Sequence, residues 1–319
     1  MRLFEILKRF AACLLVVAVL LALASCGGQT APIDGDTVTF TDALGRTVTA
    51  KKAPARVAAL LGSFADVWVL AGGTLSAAAE DAFEDFGLDP TGCVDLGGAH
   101  SPSLERLIAS DPDLVIASAS TASNVEMRET LEAMGITVAY FDVDHFDDYL
   151  HMLDICTEIT GRRDLYEKNG IAVKAEIDAI KAQYASDGVP ESERRVLLLR
   201  VASTFVKAKG SRGTILGEML ADMGCINVAD SDTSLLESLS AEAVIREQPY
   251  HIFVVTMGSD PSASEKMLET MIKENPAWST LGAVKENRLH VMDKTLFNLK
   301  PNDRWAESYR ILYETLTKP

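Results

Sequence analysis

The chain has 319 residues, with 46 Asp plus Glu against 30 Lys plus Arg and a formal net charge of −16. That acid excess excludes a nucleic-acid backbone as partner, because phosphate binding needs a basic face. A hydrophobic share of 48% beside 24% charged residues excludes a largely disordered chain and allows one large or two medium domains, each with its own core.

Residues 1–9 carry Arg2, Lys8 and Arg9 against Glu5, and residues 10–24 read FAACLLVVAVLLALA without a charge. A basic start followed by an apolar stretch is the pattern of an export signal, here residues 1–25. Leu23-Ala24-Ser25-Cys26 resembles a bacterial lipobox, which implies cleavage before Cys26 and lipid attachment to its thiol. An uncleaved membrane anchor is the competing reading, since the uncharged stretch continues to Ile33. Both readings place the rest of the chain outside the cytoplasm. Loss of residues 1–25 removes three basic residues and one acidic residue and takes the net charge to −18. Residues 26–37 are small and polar and suit a flexible tether. Cys93, Cys156 and Cys225 remain, an odd number at spacings that fit no metal-ligand pattern, so free buried thiols are expected.

TFTDALGRTVTA (39–50) alternates β-branched residues around Leu44-Gly45 and predicts a hairpin. The apolar run 56–61 predicts a strand, and Phe64, Val67, Trp68 and Ala71 an amphipathic helix stopped by Gly72-Gly73. Further strands are expected at 113–117 and 136–141, with a helix between them carrying Met127, Leu131 and Met134 on one face. A helix over 147–160 ends at Gly161, and residues 163–187 predict a long helix able to cross from one lobe to another. The same grammar restarts with a strand at 195–199, a helix through Met223, a buried strand at 251–256, a helix striped by Met267 to Ile272, a strand at 288–292 and a final helix over 305–316. Strands alternating with helices imply parallel sheets covered on both faces.

Ser103, Glu105, Ile108 and Pro112 each have a counterpart 137 residues later, in Ser240, Glu242, Ile245 and Pro249. Four identities at one offset, each leading into an apolar strand, point to two copies of one α/β unit. The predicted lobes are 38–162 and 188–319, joined by the helix 163–187.

The motifs D-A-L-G-R (42–46), P-S-L-E-R-L (102–107), D-P-D-L-V-I-A (111–117) and G-T-I-L-G-E-M-L (213–220) occur in that order. N-P-A-W-S-T-L-G-A-V-K-E-N-R-L-H-V-M (275–292) and K-P-N-D-R-W-A-E-S-Y (300–309) complete the set. In this order on one lipobox-bearing chain, they resemble the substrate-binding lipoproteins of bacterial ABC importers, the class III periplasmic binding protein family. The resemblance implies an α/β fold of two Rossmann-like lobes, with central parallel-type sheets, joined by one long α-helix. It implies a monomer, lipid-anchored on the extracytoplasmic face, that carries an iron-siderophore, corrinoid or haem ligand to a permease and its ATPase. It also implies that Glu105 and Glu242, one near the tip of each lobe, meet arginines of the permease. A carboxylate favouring a helix N-terminus is the competing reading of each glutamate. Where the first lobe has Asp111-Pro112-Asp113, the second has Gln248-Pro249-Tyr250, keeping the Pro and losing both acids.

Open α/β sheets bind ligands at loops beyond the C-terminal ends of their strands. On the predicted strands those loops hold Ser63, Asp81, His100, Arg212 and Phe297, with Arg304 beside Trp305; a solvated or structural role competes for each. Of the five histidines, His251 and His290 fall at strand positions and His151 on a helix, so core or surface roles are expected. Only His100 and His145 fall in cleft loops, and no set converges to bind a bare metal ion. No resident cofactor and no catalytic motif is read. A surface lipoprotein binding a protein or cell-wall partner, and a lipid-tethered enzyme on a similar scaffold, remain the alternatives.

Overall fold

The computed structural model describes residues 35–258 and 261–318, so Cys26 and the export segment lie outside the described residues. Val38–Pro319 forms one compact unit. Among the described residues no helix is long and apolar enough to cross a membrane.

Strands β1 (Thr37–Thr41) and β2 (Thr47–Lys51) form the expected hairpin. Asp42 closes its turn: Oδ1 accepts from the backbone N–H of Leu44 at 3.1 Å and of Arg46 at 3.0 Å, while Gly45 takes a left-handed φ of 74°. Arg46 donates to the Val138 carbonyl at 3.0 Å and lies over the Tyr140 ring, pinning the hairpin to the first sheet.

That sheet begins with β3 (Val57–Ala59), which runs into helix α1 (Gly62–Leu70). Strands β4 (Ala77–Ala78) and β5 (Val94–Asp95) follow, each too short to show a period in the sequence. Helix α2 (Leu104–Ala109) leads to β6 (Leu114–Ser118), and β7 (Thr137–Phe141) completes a parallel sheet of order β5-β4-β3-β6-β7. The single helix expected between β6 and β7 is two short ones, Ala122–Glu126 and Arg128–Ala133. Leu131 is buried, but Met134 is 53% exposed, because it caps its helix beside the left-handed Gly135 and turns outward.

Helix α3 (Phe146–Thr160) ends at Gly161, whose φ is 74°. A helical rod then runs over residues 163–187: a short helix Arg163–Tyr166, a π-turn Glu167–Ile171, and α4 (Ala172–Asp187). At 1.5 Å per residue the rod is roughly 37 Å long. Its widened turn presents Asn169 to the first lobe. The Asn169 carbonyl accepts from the Tyr149 hydroxyl, and its side-chain amide donates to the Leu70 carbonyl, both at 2.8 Å.

The second lobe holds β8 (Arg195–Ala202), β9 (Phe205–Lys209), α5 (Ile215–Asp222), β10 (Ile226–Asn227) and α6 (Ala241–Glu247). It continues with β11 (His251–Thr256), α7 (Pro261–Glu274), β12 (Leu289–Met292) and α8 (Trp305–Thr317). The order β10-β8-β11-β12 is parallel, and β9 pairs antiparallel with β8.

The two lobes repeat the same joints. Ser103 and Ser240 each cap a helix, accepting from the backbone N–H three residues on at 3.3 Å. Asp111 and Gln248 both take left-handed φ, 47° and 46°, so the turn that loses its acids keeps its shape. The backbone N–H groups of Asp113 and Tyr250 donate to the Arg56 and Arg195 carbonyls at 2.8 Å. Earlier in each lobe, the N–H of Gly62 donates to Asp81 and that of Ser211 to Asp230, each at 2.9 Å across 19 residues. That second correspondence has an offset of 149 rather than 137, because β9 is inserted in the second lobe and β5 has no counterpart there.

Each sheet buries its outer face in a separate core, one around Leu107 and Tyr140, the other around Leu199 and Trp278. The inner faces share a third. Phe141, Phe146 and Tyr149 of the first lobe, Ile177 and Tyr184 of α4, and Leu198, Phe253 and Trp305 of the second belong to one cluster. Phe146 meets Trp305 edge to face at 6.0 Å. A core continuous through the joint, and a single helical crossing, make the lobes resist relative rotation far more than two extended crossovers would.

Candidate functional site

Strand order reverses between β3 and β6 in the first lobe and between β8 and β11 in the second. Loops leaving the C-terminal ends of strands at such a switch point diverge and open a crevice. The segment after β12 closes one side of it. Lys294 pairs with Asp85 at 2.8 Å, and the Asn302 amide donates to the Ser63 carbonyl at 2.9 Å and to Asp66 Oδ2 at 2.7 Å.

The expected ligand residues divide under this geometry. Ser63 is 4% exposed and serves the seam through its carbonyl. Asp81 holds the first turn of α1: Oδ2 accepts from Gly62, where a Cβ would come within 2.6 Å of the Asp81 backbone, so only glycine admits the contact. Its Oδ1 is buried without a partner, and burial raises its pKa. His100 is exposed nearby and acts electrostatically on Asp81. Arg212 reaches solvent with its side chain 83% exposed and pairs with Glu218 at 2.7 Å. One expectation is corrected. Phe297 is 1% exposed within the shared core, because the short helix Lys294–Phe297 turns its ring inward, and it has no face for a ligand. Arg304 pairs with Glu307 at 2.7 Å on the exposed start of α8 and is part of a solvated helix pair.

An interlobe cavity of about 370 Å³ is lined by His145 and Phe146 of the first lobe, Lys174 and Lys181 of α4, and Arg212 and Glu218 of the second. Its cations are satisfied locally: Lys174 pairs with Asp178 at 2.7 Å, Lys181 with Asp222 at 2.5 Å, and Arg212 with Glu218.

The rims of the crevice differ in charge. On the first lobe, Asp81, Asp142, Asp144 and Asp148 surround Lys300, whose ammonium lies 5.9 Å from the centre of the Phe64 ring. Burial pushes the Lys300 pKa down against the pull of those carboxylates. On the second lobe the balance is reversed. Arg200 lies opposite Lys207, and Leu198 opposite Lys209, in the β8–β9 ladder, so all three cations share the inner face with Leu198. Arg200 is half-buried, its Nε has no partner, and burial lowers its pKa. Lys209 is lowered by burial and then by Arg200 and Lys207, while Lys207 lies 5.3 Å from the centre of the Phe205 ring. Among the described residues no carboxylate pairs with any of the three.

The strand expected at 195–199 stops short of this face. The alternation Phe205-Val206-Lys207-Ala208-Lys209, with cations two apart between apolar residues, is the signal that could have revealed a strand with one charged face. The inserted β9 is where the second lobe departs from the first, and it carries two of the three unpaired cations.

Glu105 and Glu242 are exposed in the first turns of α2 and α6. Glu242 accepts from the Ser240 hydroxyl at 2.8 Å, which lowers its pKa. His251 is 1% exposed, and its Nδ1 lies 3.1 Å from His290 Nε2; burial takes its pKa down to about 4, a core role. Cys93, Cys156 and Cys225 are free thiols.

Residues 57–296 match the periplasmic binding protein family. The Fe(3+)-citrate-binding protein YfmC of Bacillus subtilis is 25% identical over 240 residues, 67% of this chain and 70% of that protein. Staphylococcus aureus SirA complexed with staphyloferrin B shares the fold at a TM-score of 0.68 and 21% identity, covering 88% of this chain and 98% of that one. S. aureus IsdE complexed with heme does so at 0.65 and 15% identity, covering 82% and 99%. With a family match over most of its length and two α/β lobes joined by one long helix, the chain belongs to the periplasmic binding protein family and is an extracytoplasmic solute-binding protein rather than an enzyme.

Proposed function

We propose that the protein captures a ferric chelate in the interlobe crevice and delivers it to the permease of an ABC importer. The observation that carries this reading is the set of three cations, Arg200, Lys207 and Lys209, left without acid partners on a protein whose net charge is −16. Iron chelates present carboxylate, catecholate or hydroxamate oxygens, and an arginine fork on such oxygens forms short, charge-assisted bonds. Phe205 adds a ring face beside Lys207. The acidic rim of the first lobe turns an anionic ligand toward the second, and Arg212 is a further cation within reach of the cavity. The Fe(3+)-citrate named for YfmC and the staphyloferrin B named for SirA support this ligand class. Haem is the second reading, supported by IsdE, with its carboxylates meeting the same cations.

In this reading the two exposed glutamates dock on the permease, while lipid on Cys26 tethers a monomer to the outer face of the membrane. A thermal-shift screen of the soluble part, from about residue 30, tests it with ferric citrate, ferric catecholates, ferric hydroxamates, haem, cobalamin and cobinamide. A ligand at a hundredfold excess over its Kd adds about 2.7 kcal/mol of stability. A rise in melting temperature with a ferric chelate is the expected result, and no rise with any of them at saturation overturns the reading.

A further inference from the structure

The seam between the lobes contains a carboxyl and an amide whose hydrogen bonding is incomplete as they stand. Asn302 is 1% exposed and sits at a left-handed φ of 52°, a conformation asparagine tolerates better than most residues. Its two amide protons are taken by the Ser63 carbonyl and Asp66 Oδ2. Its Oδ1 is buried with no donor. Leaving a buried acceptor unpaired is unfavourable, and the group beside it is a carboxylate, which has no proton to give.

We propose that Asp66 and Asn302 form a proton-linked latch, in which a proton taken up from solvent by Asp66 completes the pairing of the Asn302 amide and fastens the second lobe to the first. The protonated acid keeps one oxygen for the Asn302 N–H and offers its O–H to the orphaned Asn302 oxygen. Proton uptake forms one O–H bond on Asp66 and breaks one in a solvent hydronium ion, with no change of oxidation state. Ionised Asp66 loses that donor and faces a like charge on Asp303 of the same turn, so the joint loosens as the pH rises.

The surroundings favour proton uptake in a mildly acidic range. Burial, with Asp303 adding to it, raises Asp66 from 3.8 to about 6 against the Asn302 hydrogen bond. From α3 the facing group is Tyr149, neutral and buried. From the π-turn comes Lys168, which acts on Asp303. A carboxyl whose folded pKa lies above its unfolded one stabilises the native state below the unfolded pKa and loses that contribution as pH rises through the folded one. The window here is between about pH 4 and pH 7.

Asp66→Asn tests the latch, since an amide supplies both the oxygen and a permanent donor. The wild type should lose about 2–3 °C more in melting temperature than the variant between pH 5.0 and 7.5. Hydrogen exchange at residues 300–305, corrected for intrinsic rate, should be slower at pH 5.0 in the wild type and pH-independent in the variant. Should the variant not fold, the carboxyl ¹³C shift of Asp66 in the wild type gives the titration directly. A midpoint near 4, or a variant that keeps the wild-type pH dependence, overturns the latch.

Discussion

Replacing Arg200 with Met separates a ligand-binding cation from a structural one, because the two roles move stability in opposite directions. The guanidinium is half-buried, its Nε lacks a partner, and Lys207 and Lys209 share its face. A buried polar group left unsatisfied costs about 1–3 kcal/mol, and Arg200 belongs at the lower end because part of it reaches solvent. Methionine keeps the packing of the side-chain stem beside Leu198 and Val255 and removes that cost. The unliganded variant should therefore gain about 1 kcal/mol, read as a rise in the midpoint of urea unfolding at constant slope. Affinity should move the other way. A charge-assisted hydrogen bond to the ligand contributes about 1.5–3 kcal/mol, so the variant should bind the best ferric chelate of the screen roughly 10- to 150-fold more weakly by calorimetric titration. A variant that loses stability and binds the chelate as tightly as before would show that Arg200 supports the fold, and would remove the cation face from the binding site.

Lys207→Met, at an exposed position, should weaken binding only a few-fold, with a difference that shrinks at high salt; an equal loss at all salt concentrations would contradict a screened surface charge. Glu105→Ala and Glu242→Ala should each leave the urea midpoint and ligand affinity unchanged, while uptake into permease-bearing vesicles falls at least tenfold. Lost affinity, or unchanged uptake, would contradict the docking role. Burial takes Cys93 to about 11 and Cys156 and Cys225 to about 12, leaving on the order of 0.1% thiolate or less at pH 8. A thiol reagent should label the native soluble part slowly and all three thiols at once on unfolding, whereas fast native labelling would show that these sulfurs are accessible.

The regular elements were readable where a local pattern repeats. The apolar run before Phe64 and the i, i+3, i+4 spacing after it specify a strand entering a helix, and 251–256 is uniformly apolar because parallel strands are buried on both faces. The duplication was readable from four residues, since a serine cap and a Pro-bearing turn impose their residue types locally. By contrast, β4, β5 and β10 have two residues each, and pairing alone makes them strands.

The site was readable mainly as a set of loops. Sequence position put Arg304 and Phe297 near the crevice; side-chain direction decided that one pairs along its own helix and the other points into the core. Arg200 and Lys207 face the same way because of antiparallel register, and Asp66 meets Asn302 across 236 residues. The sequence by itself determined the two-lobe α/β architecture, the long helix between the lobes and the repeated joints, all of which follow from patterns a few residues long. Only the tertiary structure decided which charges are paired and which are left unpaired, because that depends on contacts between residues far apart in the chain.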